Sequence, residues 1–212
     1  HARRMAEVAR AKAAWKGQVE LLCGIELGQP HQYPDAARKM IADGGFDFVL
    51  GSVHHVDELD IYFEPYWRGK TVDQAVERYL QETLACVKAH EDFDVLGHLT
   101  YISKVSAHPD PKPVYYEQFP ELFDDILTTL AQKGKGMEIN SSGVDRCGDY
   151  LPPVSMLRRF RELGGEIITV GSDGHKPEHL AYEFHKVPSI LKEAGFEYYT
   201  IFKNRKPEFI KL

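Results

Sequence analysis

The chain has 212 residues, 43% of them hydrophobic and 27% charged, which is enough for one substantial core and ordinary for a globular protein. A formal charge of −6 with no basic tract argues against a nucleic-acid surface built on phosphate neutralisation, and no run reaches the roughly 18 to 20 consecutive apolar residues that cross a bilayer. Cys23, Cys86 and Cys147 are odd in number and widely spaced, so they support neither a disulfide framework nor a Cys-x-x-Cys zinc site, and a reducing, cytoplasmic setting is expected.

The opening HARRMAEVAR lacks the apolar core of a secretory signal, and His1 in place of Met points to a processed, trimmed or incomplete chain. The first strand-like run, VELLCGIE, delivers Glu26, and the second, FDFVLGSVH, delivers His54. Neighbouring strand residues face opposite ways, so His54 is assigned to the centre and His55 is kept as a pocket residue. Between His55 and Thr71 no helical periodicity is visible; the rim aromatics Tyr62, Phe63, Tyr66, Trp67 and Tyr101 could line a pocket for an imidazole ring, but most are expected to pack beneath that connection. From Thr71 the string TVDQAVERYLQETLACVKA sets Val72, Val76, Tyr79, Leu80, Leu84 and Val87 on one helical face, with Thr71 and Gln74 forming a capping box.

FDVLGH then delivers His98. EQFPELFDDILTTLAQKG predicts a helix with Gly134 at its end, and GKGMEIN is a strand delivering Asn140. PPVSMLRRFRELGG predicts another helix, followed by the strand EIITVGS and the turn bearing Asp173 and His175. PEHLAYEFHKVPSILKEAG is helical in composition but should be kinked or divided at Pro188, and EYYTIF is a last strand.

These runs number six, with helix-capable sequence between most of them. Their continuous apolar character predicts an all-parallel sheet covered on both faces by helices. Six strands are too few for an eight-stranded barrel, so either the barrel is reduced or part of it is absent. No repeat or linker divides the chain, and residues 1–212 are expected to form one domain. In a parallel fold of this kind the carboxyl ends of the strands share one rim, which would gather Glu26, His54, His98, Asp173 and His175. Carboxylates and neutral imidazoles together suit zinc, iron or manganese. His31, His90, His108, His179 and His185 show no converging partners in the sequence and are not given such a role.

Taken in order, GIELG, GSVHH, VLGHLT, MEINSSG and VGSDGHKPE resemble the polymerase and histidinol phosphatase (PHP) superfamily, histidinol-phosphate phosphatase type, over nearly the whole chain. The resemblance implies a distorted TIM-like barrel of the (β/α)7 type, here without its first strands. It also implies up to three divalent metals, and it puts Glu26, His54, His98, Asp173 and His175 on metal-ligand positions. The implied reaction is hydrolysis of a small phosphorylated substrate, L-histidinol phosphate, in histidine biosynthesis. Members normally begin with a His-x-His strand and an Asp-His motif, and neither occurs in this sequence. Glu26 as a bridging ligand and Asp173 as holder of the water-activating ion are expected to carry catalysis. Arg146 and Lys104 are expected to bind the phosphate. The competing expectations are a phosphodiesterase or nuclease of the same superfamily and a catalytically silent metal-binding module. The oligomeric state is left open.

Overall fold

The structure, a computed structural model, describes residues 2–212; the reading of His1 concerns a residue outside that range. In chain order the elements are α1 (Ala2–Ala14), β1 (Gly24–Gly28), α2 (Pro34–Gly44), β2 (Phe48–Ser52), β3 (His55–Val56), β4 (Leu59–Asp60), α3 (Glu64–Trp67) and α4 (Val72–Ala89). These are followed by β5 (Val95–Leu96), α5 (Pro120–Gln132), β6 (Gly136–Asn140), α6 (Val144–Cys147), α7 (Val154–Glu162), β7 (Ile168–Gly171), α8 (Val187–Glu193), β8 (Tyr198–Lys203) and β9 (Lys206–Lys211).

The predicted apolar runs assemble into a five-stranded, wholly parallel sheet in the order β1-β2-β5-β6-β7. Each strand lies beside its predecessor in the sheet, so the winding never reverses. This is barrel-type winding rather than the doubly wound arrangement with a switch point. The register places Glu26 opposite Leu50, Leu50 opposite Val95, and Asn140 opposite Gly171, which brings the carboxyl ends to one rim.

The helices cover the sheet with apolar faces. Helix α4 starts at the predicted capping box, with Thr71 accepting from the Gln74 N–H and Gln74 returning the bond to the Thr71 N–H. Its Val76, Tyr79, Leu80 and Val87 are buried, as are Phe123, Ile126, Leu127 and Leu130 of α5 and Met156, Leu157 and Phe160 of α7. Helix α8 begins at Val187 with Pro188 in its first turn, where a missing N–H costs nothing, so the proline starts a helix instead of bending one. The connection after His55 folds as the β3–β4 hairpin and α3. Tyr66 and Trp67 are buried beneath it, with Trp67 Nε1–H donating to the Ile61 carbonyl at 2.8 Å. No helix among the described residues is long and apolar enough to cross a membrane.

One expectation about the sheet is corrected. EYYTIF does not become a sixth parallel strand; β8 pairs antiparallel with β9 in a separate two-stranded hairpin. Its two turn residues, Asn204 and Arg205, both have positive φ (50° and 63°), the geometry that joins antiparallel strands with matching twist. The turn is fastened to the sheet: Arg205 Nε–H donates to Asp94 Oδ2 at 2.6 Å, and the Asn204 N–H to Asp47 Oδ1 at 3.1 Å. The edges β1 and β7 face an apolar cleft of about 510 Å³ lined by Leu22, Phe48, Val170, Val187, Phe202 and Leu212, and the sheet is not closed into a ring.

Candidate metal centre

Three of the five rim residues converge. Glu26 leaves β1 with Oε1 3.1 Å from His98 Nε2 and 3.3 Å from His54 Nε2, and the donor atoms of all three residues lie within 4.8 Å of one another. The alternation expected at the end of β2 is present. His54 turns inward, whereas His55 points to the β3–β4 hairpin, where its Nε2 is 4.0 Å from Asp60 Oδ2 and its side chain is 46% exposed. Gln29, buried just past β1, stands beside both histidines. With its amide turned to satisfy them, its carbonyl accepts from the backbone N–H groups of His54 and His55.

His98 is buried, and its backbone N–H donates to Glu138 Oε2 at 2.9 Å. Burial opposes charge on its imidazole, but the Glu26 hydrogen bond and the charges of Glu138 and Glu26 outweigh it, so the ring holds a proton more tightly than an ordinary histidine. Burial likewise opposes ionisation of Glu26. The hydrogen bonds and charges of His54 and His98 prevail and hold its carboxyl far below the usual range. One carboxylate oxygen and two imidazole nitrogens gathered within 4.8 Å form a donor set that fits a divalent transition metal.

Asp173 and His175 form a second group beside the first. Asp173 occupies a turn at φ 46°, and its Oδ2 accepts from Lys104 Nζ at 2.6 Å. The same ammonium donates to Ser142 Oγ at 2.6 Å. His175 is 81% exposed, with Nδ1 2.9 Å from the Asp173 carbonyl oxygen and 3.6 Å from Asp173 Oδ1. Tyr101 adjoins both: its ring centroid is 4.8 Å from that of His54 and 4.9 Å from that of His98, and Lys104 Nζ lies 5.2 Å away. A cleft of about 650 Å³ opens over this second group, lined by Tyr62, Tyr101, Lys104, Arg146, Asp173 and His175 among others. The Arg146 side chain makes no ion pair or hydrogen bond among the described residues.

Asn140 lies buried beneath this cleft. Its Oδ1 accepts from the Ser142 N–H at 3.0 Å and the Ser142 hydroxyl at 2.6 Å, and its Nδ2–H donates to Glu138 Oε2 at 3.0 Å. Glu138 itself was not singled out in the sequence. It sits inside β6, wholly buried, and burial raises its carboxyl pKa despite the nearby His98. The readable signal was its spacing of two from Asn140, which puts both on one face of the strand. Gly171, at the end of β7, leaves the space for it, since a Cβ there would stand 1.9 Å from Glu138 Oε1.

His31, read as unpartnered, is not. Its Nε2 is 2.8 Å from Glu82 Oε1, and Glu82 also accepts from Gln32 and Arg78, tying the loop after β1 to α4. His179 lines the cleft, and His108 packs its ring against Trp67 at 4.7 Å. Among the rim aromatics Tyr62 and Tyr101 line the cleft, while Phe63 is 57% exposed.

Comparison with known proteins agrees with this arrangement. The sequence matches the PHP domain family over residues 1–142. It is 29% identical over 201 residues to the histidinol-phosphatase of Lactococcus lactis, covering 94% of this chain and 74% of that one. It is also 29% identical over 181 residues to a probable histidinol-phosphatase of Clostridium acetobutylicum, covering 84% and 69%. The crystal structure of the Lactococcus lactis histidinol phosphate phosphatase, complexed with zinc, L-histidinol and phosphate, superposes with a TM-score of 0.84 at 27% identity. That superposition covers 96% of this chain and 78% of that one. A sequence match across the first two thirds of the length, on a parallel sheet that superposes on that enzyme nearly end to end, makes this chain a member of the PHP domain family.

Proposed function

We propose that this protein is a metal-dependent phosphomonoester hydrolase acting on L-histidinol phosphate, with residues 1–212 belonging to one domain. The observation that carries the reading is the Glu26, His54 and His98 donor cluster, linked through Tyr101 to a cleft lined by Arg146, whose guanidinium is unpaired among the described residues. The names of the relatives and the zinc, L-histidinol and phosphate bound by the superposed enzyme support the same substrate.

Glu26, His54 and His98 would hold a divalent ion, and Asp173 and His175 would complete the ligand set. Such an ion supplies Lewis acidity, neutralising the phosphoryl oxygens and making water easier to ionise. Arg146 offers two parallel N–H donors to phosphate oxygens, which suits a tetrahedral dianion. Lys104 holds the Asp173 carboxylate in place and adds positive charge on the same side. Asn140 orients Ser142 and Glu138 from beneath. The three free, buried thiols support a reducing, cytoplasmic setting.

The test is release of inorganic phosphate from L-histidinol phosphate by the full chain supplied with zinc, manganese or iron, with metal content measured in parallel. Turnover that tracks bound metal is expected. No turnover at any metal occupancy would favour a silent binding module, and preference for a phosphodiester would favour the nuclease-type reading.

A further inference from the structure

We propose that Asp145 is a specificity residue that binds the protonated amine of an aminoalkyl phosphate, an inference that rests on the phosphomonoester hydrolase reading. Asp145 lies on α6 next to Arg146, and both line the cleft above Asp173. Its Oδ1 accepts the Tyr182 hydroxyl at 2.5 Å across that cleft, and among the described residues no cation pairs with it. That hydrogen bond, with burial, pushes the Tyr182 phenol up to about 12, so the hydroxyl stays a donor to Asp145.

The two carboxylates lining the cleft therefore differ. Asp173 is paired with Lys104 at 2.6 Å, whereas Asp145 has no cation bonded to it among the described residues and stands next to the arginine expected to take the phosphate. For a ligand carrying only a phosphate the Asp145 carboxylate is a liability, because it repels the dianion over a short distance. It becomes favourable when the ligand brings a cation of its own. In a 2-aminoalkyl phosphate the ester oxygen and the ammonium sit on neighbouring carbons. Arg146 and Asp145 both line this one cleft, so a molecule that carries an anionic and a cationic group can meet both of them. L-Histidinol phosphate is a member of that class.

The test compares wild type with Asp145→Asn, which keeps the shape and can still accept from Tyr182. The zinc-loaded full chain is assayed on L-histidinol phosphate and on glycerol 1-phosphate, which has no amine. The ratio of the two kcat/KM values is expected to fall about 10- to 100-fold, the weight of a hydrogen bond to a charged group. Calorimetry gives a second reading. L-Histidinol is expected to bind more weakly by a similar factor, while inorganic phosphate binds as well or better because a repelling charge has gone. An unchanged ratio, or equal weakening of L-histidinol and phosphate, would overturn the assignment. If the wild type hydrolyses neither ester, the hydrolase reading fails instead, and the calorimetric pair still decides the role of Asp145.

Discussion

Replacing Lys104 with methionine removes an ammonium that is 12% exposed from a carboxylate that is 20% exposed. At 2.6 Å and an effective dielectric constant near 20, the Coulomb attraction lost is about 6 kcal/mol before solvation is counted. Desolvating both ions offsets much of that in the wild type, and stranding one partner of a mostly buried pair costs about 3 to 5 kcal/mol. Residual solvent access lowers the expectation to about 2 to 4 kcal/mol. The lost bond to Ser142 Oγ adds little, because that hydroxyl can turn to water. With a urea slope of about 2 to 3 kcal/mol per molar, the unfolding midpoint of the metal-free protein should drop by roughly 1 M. The assay is urea denaturation in the presence of a chelator for wild type, Lys104→Met, Asp173→Asn and the double variant. Because Asp173→Asn removes the charge that Lys104→Met leaves unpaired, the double variant should recover part of the loss, with a coupling of at least about 1 kcal/mol. Additive losses, or a single variant within about 0.5 kcal/mol of wild type, would refute the idea that this pair shapes the site.

Three further outcomes follow from the same geometry. Glu26→Gln removes the anionic member of the donor cluster and should weaken zinc binding at least about 100-fold in a chelator competition; undiminished affinity would detach the cluster from metal binding. Arg146→Ala should lower kcat/KM on the phosphomonoester by about 10- to 100-fold with metal content unchanged, and unaltered kinetics would exclude it from phosphate binding. Glu82 is a case of pH dependence. Burial works against its charge, but hydrogen bonds from His31, Gln32 and Arg78 dominate and lower its pKa. Its contribution to stability is therefore complete above its ordinary value of 4.5 and disappears as pH falls through the lower folded value. Thermal unfolding of Glu82→Gln should accordingly show a flatter acid limb below about pH 5, and an acid limb identical to wild type would contradict this.

Much of the sheet could be read from the chain because buried parallel strands have no polar face to interrupt them. Each run ended where its first ligand-type side chain emerged, which located Glu26, His54 and His98 before any contact was known. The hairpin was harder to read. Lys206–Lys211 is mostly exposed and charged, and its turn carries Asn204 and Arg205 with no glycine to mark it. Helix α1 is polar on most sides, and its apolar stripe is short, with Met5 and Val8 reaching the core. The pairs Lys104–Asp173 and His31–Glu82 join residues 69 and 51 positions apart, and no local pattern encodes a partner at that distance. Glu138 was hidden by its own burial, a carboxyl within a run read as apolar.

One flat ring, that of Tyr101, lies 4.8 and 4.9 Å from two imidazoles and 5.2 Å from an ammonium. On the proposed reading, cation preference and phosphate affinity share this wall, and a change in one is expected to alter the other. Any tilt of that phenol to admit a larger ion also shifts the lysine that holds the neighbouring carboxylate. Attempts to re-engineer either property should start from this ring and measure both.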